Sequence, residues 1–233
     1  MYFLVDTNKQ VIFGWSAKCG CSHVKTIFLF LQTGILIDKI HINDRHRLPN
    51  DIENYTTIIF TRNPYNRLVS GFLDKYGPGR SYRNLWKHPS LTFSRFVDEV
   101  IQSNWTMIDK HHFTSQITED FDKKILKSKM ITCYDVTNID YTYIEQLYNT
   151  KIPENIINKK RGHERTFQNQ PLWNNTDVYD LHIDKYINYD VDLKYFYNHE
   201  LRTKVFLFYK DDFYFFDKYN IDYINPCFRR LKK

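Results

Sequence analysis

Residues 17–25, AKCGCSHVK, contain small and basic side chains. They follow an apolar run at 11–15 and overlap the start of a segment at 23–33 whose apolar residues have helical spacing. Backbone N–H groups at the start of a helix, together with a lysine such as Lys18, can hold an anion. Small residues allow close approach of the ligand, and the hydroxyl of Ser22 adds a donor. The segment therefore predicts an anion-binding turn. The alternative is an ordinary strand-to-helix turn with a solvent-facing lysine.

A second candidate follows the β-branched run at residues 57–61 and reads RNPYNRLVSGFLDK. Arg62 stands at the end of the predicted strand, where open α/β sheets bind ligands. Ser70 lies on the predicted helix, and the spacing places Arg67 on the same face. Arg62 and Ser70 could hold a phosphate through charge-assisted hydrogen bonds. The alternative makes Arg67 a surface residue and Ser70 a packing contact within the helix.

Alternating strands and helices must position these side chains. The predicted strands are 11–15, 57–61 and 129–134, and the predicted helices are 23–33, 64–76, 93–103, 138–149, 177–187 and about 192–209. Gly34 is expected to end the first helix, and Asn63 to cap the second, with Pro64 in its first turn. The alternation predicts an α/β protein with a P-loop-like three-layer fold, in which helices flank a central, mostly parallel sheet. We expect a single domain over residues 1–233, with its core at about 11–219.

Charge and composition narrow the class of protein. The 33 basic and 27 acidic residues give a net charge of +6, spread along the chain, which favours an anionic ligand and predicts no nucleic-acid partner. The longest apolar stretch, residues 27–37, is too short to cross a bilayer, and the first residues do not resemble a signal peptide. The 4 cysteines lack the spacing of a disulfide framework or a CxxC site. We therefore expect a cytoplasmic or otherwise soluble protein without a membrane span.

The first turn differs from the P-loop of nucleotide triphosphatases. The signature GxxxxGK[ST] is absent, because Lys18 precedes the turn and Cys21 stands before Ser22. This disfavours an enzyme that uses a magnesium nucleotide, although a nucleotide kinase with a P-loop-like fold remains one alternative. A second alternative is a non-catalytic basic module that binds glycans.

The two segments together resemble the binding motifs of sulfotransferases that use 3′-phosphoadenosine 5′-phosphosulfate (PAPS), and most of all those of the chondroitin-type carbohydrate sulfotransferases. The first family motif, Pro-Lys-x-small-Cys-Thr-Asn-Trp-Lys, is matched at Lys18, Gly20, Cys21, Ser22 and Lys25, with departures at Ala17, His23 and Val24. The second, Arg-Asp-Pro-x-x-Arg-Leu-x-Ser, is matched at Arg62, Pro64, Arg67, Leu68 and Ser70, with Asn63 in place of Asp. Weaker similarities follow at residues 112–116, HFTSQ, and 205–219.

The resemblance implies transfer of a sulfuryl group from PAPS to an acceptor hydroxyl, on a carbohydrate or another hydroxyl-bearing molecule, with no metal required. Lys18 would contact the bridging or leaving phosphate oxygen, and the loop would hold the 5′-phosphosulfate. Arg62 and Ser70 would hold the 3′-phosphate. The loop residues in this assignment are Cys19, Gly20, Cys21, Ser22 and His23, and the secondary phosphate candidates are Lys25 and Arg161.

The acceptor hydroxyl needs a general base. His112 is the first candidate because its neighbours match a family element, and His111 is the second. The alternative is that both are polar loop residues. A basic and aromatic stretch at residues 80–88 could bind an anionic glycan, but a solvated basic loop is the simpler explanation and the one that we favour.

Overall fold

The computed structural model describes residues 1–37, 46–86, 88–117, 123–158 and 176–223. The chain groups into two compact units, and each is described by itself. The first unit comprises Met1–Arg62, Gln116–His163 and Tyr214–Lys233, and the second comprises Asn63–Ser115 and Glu164–Phe213. The prediction of a single domain stays a prediction.

The described residues of the first unit form a four-stranded sheet. Its strands are β1 (Tyr2–Asp6), β2 (Val11–Trp15), β3 (Thr56–Thr61) and β4 (Met130–Asp135), in the order β1-β2-β3-β4. β2, β3 and β4 are parallel, whereas β1 is antiparallel to β2. Every residue of β2 and β3 is buried, as expected for central parallel strands that are covered on both faces. The α/β class and the mostly parallel sheet are confirmed.

β1 was not predicted and extends the sheet to the N-terminal side of the expected core. It pairs with β2 from Tyr2↔Trp15 to Asp6↔Val11, and Asp6 accepts hydrogen bonds from the N–H groups of residues 8 and 9 in the turn that follows. His46 covers its outer edge: the Val5 N–H donates to His46 Nδ1 at 2.8 Å, and the His46 N–H donates to the carbonyl of residue 3.

Three helices of the first unit are α1 (Cys21–Thr33), α5 (Tyr141–Tyr148) and α6 (Glu154–Ile157). α1 ends where the sequence predicts, because Gly34 takes a left-handed conformation with φ 70° and its N–H donates to the Phe30 carbonyl. Phe13 of β2 lies at the centre of the core: its ring centroid is 5.4 Å from that of Phe28 and 5.1 Å from that of Phe60. These contacts attach α1 to the sheet next to the predicted anion-binding turn.

The second unit is helical with an aromatic core. Its helices are α2 (Pro64–Tyr76), α3 (Phe93–Ile101), α4 (Lys110–Phe113), α7 (His199–Phe208) and the first residues of α8 (Lys210–Lys218). The Asn63 side chain accepts a hydrogen bond from the Tyr65 N–H, which confirms the predicted cap of α2. The fully buried rings of Phe72, Phe96 and Phe113 pack with centroids 4.8–4.9 Å apart along the series.

One helix prediction is wrong and another is correct only in part. Residues 177–187 contain a single 3₁₀ turn, Ile183–Lys185, and the segment at about 192–209 divides into the 3₁₀ turn Leu193–Phe196 and helix α7. The cause is local, since the side chains of His182, Asp192 and Asn198 each accept a backbone N–H. The first two begin the 3₁₀ turns, and Asn198 begins α7. None of the helices in the described ranges is long and apolar enough to cross a membrane.

Candidate active site

The turn between β2 and α1 has a constrained backbone. Lys18 and Gly20 both adopt left-handed conformations, with φ 66° and 63°, and the Cys19 N–H donates to the Ser16 carbonyl at 3.1 Å. The left-handed region suits glycine but costs energy at a lysine. Gly20 also precedes the first residue of α1, and no described side chain caps this helix end. Because the first N–H groups of a helix have no acceptor inside it, the turn presents donors suited to an anion.

The side chains of this turn differ in their surroundings. Ser22 is exposed, whereas Lys18 and Cys21 are half-buried. His23 Nε2 lies 2.8 Å from the Tyr141 hydroxyl. Lys25 is buried, and its Nζ lies 4.7 Å from the centroid of the Trp15 ring in a cation–π contact. Lys25 therefore contributes to the packing of α1 on β2, beside its predicted role as a secondary phosphate ligand.

Arg62 directly follows β3 and contacts the same turn. Its guanidinium Nη1 donates to the Lys18 carbonyl at 3.2 Å. The sequence places these residues in separate motifs, 44 positions apart, and the structure brings them together within the first unit. A guanidinium beside the turn adds a positive charge to the backbone donors.

Gln116 is a site residue that the sequence analysis did not single out. Its side chain is fully buried and hydrogen-bonds to both sides of the Arg62 backbone. The Arg62 N–H donates to Gln116 Oε1 at 3.1 Å, and Gln116 Nε2 donates to the Arg62 carbonyl at 2.9 Å. The same Oε1 also accepts the Cys19 thiol at 2.9 Å and the Thr61 hydroxyl at 3.1 Å. The only signal in the sequence is its place at the end of the element HFTSQ.

The first candidate base, His112, lies in the second unit and is paired with a carboxylate. Its Nδ1 hydrogen-bonds to Asp109, which also caps α4 by accepting the His111 N–H at 3.1 Å. Burial acts to raise the pKa of the Asp109 carboxyl, but the hydrogen bond and charge of His112, with the charge of His111, hold that pKa below its ordinary value. An ionised Asp109 accepts only, so the His112 Nδ1 carries the proton and Nε2 can receive another.

The segment that follows His112 is held by buried polar groups. The Tyr209 hydroxyl donates to the Phe113 carbonyl at 2.5 Å, and Arg67 Nη1 donates to the Thr114 carbonyl at 2.7 Å. The Ser115 hydroxyl donates to the fully buried Asp212 at 2.8 Å. Arg67 is 3% exposed, so the alternative that it is a surface residue is wrong. It supports the backbone next to His112.

Comparison with known proteins identifies the family. The family model described as the sulfotransferase family matches residues 1–220. This chain belongs to the sulfotransferase family. It is similar to carbohydrate sulfotransferase 8 of Mus musculus and of Homo sapiens, at 27% identity over 93 residues, which cover 34% of this chain and 22% of each relative. The matched part is thus about a fifth of the length of these curated relatives. No solved structure matches the chain.

Two further predicted ligand residues of this sulfotransferase-family chain are Ser70 and Arg161. Ser70 lies half-buried on α2 in the second unit, one residue before Gly71, which faces the Phe113 ring. Arg161 lies outside the described residues. The assignments of these residues to a ligand stay predictions.

Two side chains of the basic stretch at residues 80–88 form contacts within the second unit. Arg83 forms a two-point ion pair with Asp184, with N–O distances of 2.6 and 2.5 Å. Trp86 is 9% exposed, and its ring centroid lies 5.7 Å from that of Tyr76. These two side chains therefore stabilise the fold, which weakens the hypothesis that this stretch grips a glycan.

Proposed function

We propose that this chain transfers a sulfuryl group from PAPS to a hydroxyl of a carbohydrate acceptor. Membership of the sulfotransferase family and similarity to two proteins named carbohydrate sulfotransferase 8 support the reaction class and the acceptor. The observation that carries the donor assignment is the contact between the Arg62 guanidinium and the Lys18 carbonyl. It joins the two segments that resemble the 5′-phosphosulfate and 3′-phosphate motifs.

On the donor side, Lys18 would neutralise charge on the leaving phosphate oxygen, and the N–H groups at the start of α1 would hold the phosphosulfate. Arg62 and Ser70 would bind the 3′-phosphate, the group that is present in PAPS and absent from ATP. The thiol of Cys19 and the ammonium of Lys25 already have partners in the fold. We therefore assign these two residues to shaping the turn.

On the acceptor side, His112 would act as the general base. Its Nε2 would take the proton of the acceptor hydroxyl while that oxygen forms a bond to sulfur. The bond between sulfur and the bridging phosphate oxygen breaks in the same in-line displacement, and 3′-phosphoadenosine 5′-phosphate (PAP) leaves with the electron pair. Asp109 would hold the imidazole in the tautomer that this step requires.

The donor assignment is tested by thermal-shift titration with PAP, ADP and ATP, each with and without magnesium. At 100 times its dissociation constant a ligand adds about 2.7 kcal/mol, which raises the Tm of a chain of this size by about 5–10 °C. We expect a shift with PAP that is independent of magnesium and much larger than the shift with ADP. Arg62→Ala should remove most of this difference, whereas Arg47→Ala, a control at an exposed arginine, should retain it.

Three outcomes contradict the proposal. A shift that requires both ATP and magnesium would indicate the kinase alternative. Binding of chondroitin without any PAP shift would indicate a glycan-binding module. Equal losses of PAP and ADP binding in Arg62→Ala would remove Arg62 from the 3′-phosphate site.

A further inference from the structure

We propose that Gln116 is a positioning residue that holds the donor-binding turn and Arg62 in their binding geometry. This inference rests on the proposed function, because the ligand of the turn is taken to be the phosphosulfate donor. Gln116 need not contact the donor. It acts through its hydrogen bonds to Arg62 and Cys19.

Gln116 pairs with the backbone of Arg62 on both sides. Arg62 lies one residue beyond β3, where the ladder with β2 has already ended at Trp15↔Phe60. The primary amide of Gln116 bonds to both the N–H and the carbonyl of Arg62, as a residue of a neighbouring strand would. The side chain thus extends the strand pairing by one residue and fixes the point from which the guanidinium projects.

Gln116 is also linked directly to the turn. Cys19 is fully buried between the two left-handed residues Lys18 and Gly20, and its thiol donates to Gln116 Oε1. Two contacts of the turn therefore depend on Gln116: the Cys19 thiol bonds to Gln116, and the Lys18 carbonyl accepts from Arg62, which Gln116 also fixes. A lysine persists in the left-handed region only where its surroundings enforce that conformation.

Burial makes the hydrogen bonds of Gln116 difficult to replace. Gln116 is 0% exposed, so bulk water does not replace its hydrogen bonds when the amide is removed. The Arg62 N–H and carbonyl would then be left inside the protein without this partner, and the backbone would move to satisfy them. That movement displaces Arg62 and the turn together, which is the expected signature of a positioning residue.

The test replaces Gln116 with methionine, which has similar length but cannot form these hydrogen bonds. The control is Gln146→Met, which changes an exposed glutamine on α5 of the same unit. Two readouts are measured well below the Tm: the dissociation constant of PAP, and the rate at which iodoacetamide alkylates Cys19, identified by peptide mass spectrometry. Reduced glutathione in the same reaction serves as the reference for alkylation.

We expect Gln116→Met to weaken PAP binding at least about tenfold and to raise the Cys19 alkylation rate at least about tenfold relative to glutathione. The control should change neither. In turnover assays with PAPS and desulfated chondroitin, the KM for PAPS should rise while the KM for the acceptor stays constant. A purely structural role predicts a lower Tm with unchanged PAP affinity and a protected Cys19, and that result would overturn the proposal.

The two readouts distinguish a failure of the proposed function from a failure of the role assigned to Gln116. If the wild-type chain does not bind PAP, the proposed function fails, and Cys19 alkylation still decides whether Gln116 holds the turn. If Gln116→Met does not fold, Gln116→Asn keeps the amide but shortens the side chain by one methylene. It should show the same two changes to a smaller extent, and unchanged values would refute the proposal.

Discussion

Gly71→Ala should destabilise the second unit through a clash with one aromatic ring. A Cβ built at Gly71 on α2 lies 2.4 Å from Cε1 and 2.9 Å from Cζ of Phe113, closer than real side chains approach. Phe113 is fully buried and packs edge-on against Phe96, with ring centroids 4.9 Å apart, so its ring cannot withdraw freely. Overpacking of this kind costs about 1–3 kcal/mol, and we take about 3 kcal/mol because the overlap is large.

The better helix propensity of alanine offsets about 1 kcal/mol of this cost. The net loss of about 2 kcal/mol corresponds to a Tm about 4–8 °C lower for a chain of this size. Thermal and urea unfolding of Gly71→Ala, Phe113→Leu and the double variant measure the coupling between the two positions. Leucine lacks the two ring atoms that clash, so Gly71→Ala should cost much less in the Phe113→Leu background. An unchanged or raised Tm for Gly71→Ala alone would refute this placement of Phe113.

The remaining predictions concern His112 and its carboxylate partner. His112→Ala should lower kcat about 10²–10⁴-fold and leave PAP affinity unchanged, measured by turnover with PAPS and by PAP titration. A wild-type rate in His112→Ala would indicate that His111 or a carboxylate is the base. Asp109→Asn should lower the free energy of unfolding by about 1–1.5 kcal/mol near neutral pH, because the hydrogen bond from His112 loses its charged acceptor. Since the pKa of Asp109 is lowered in the folded state, its contribution is present above about pH 4, the unfolded value, and is lost as the pH falls through the folded pKa. Urea unfolding at several pH values should therefore show the variant's deficit shrinking in acid, and a deficit independent of pH would contradict the assignment.

Local sequence patterns predict the elements that carry the site. The strands at 11–15 and 57–61 and the helices that follow them are confirmed, because their apolar periodicity and their end residues Gly34 and Asn63 act within a few positions of the chain. β1 was missed, since a five-residue strand is stabilised by its pairing with β2 more than by its own pattern.

The contacts that organise the site could not be predicted in this way. Gln116 bonds to Cys19 across 97 positions, and Arg67 bonds to Thr114 across 47, so neither contact has a periodic signal. The Asp109–His112 pair is local, at a spacing of three, and the helical N-cap position of Asp109 could have indicated it. Sequence motifs therefore identify the candidate polar side chains, whereas tertiary packing determines which of them are buried and hydrogen-bonded.

β1 forms one outer edge of the described sheet, and His46 lies against it. An edge strand offers its backbone donors and acceptors to other chains, and proteins limit this hazard by covering the edge. Here the cover is the exposed His46, whose Nδ1 accepts the Val5 N–H. The same ring nitrogen also lies 3.3 Å from the Val5 carbonyl, and the His46 N–H donates to the Phe3 carbonyl. His46 therefore occupies backbone groups of β1 with which a strand of another molecule would otherwise pair, so replacement of this residue would open that part of the edge to association.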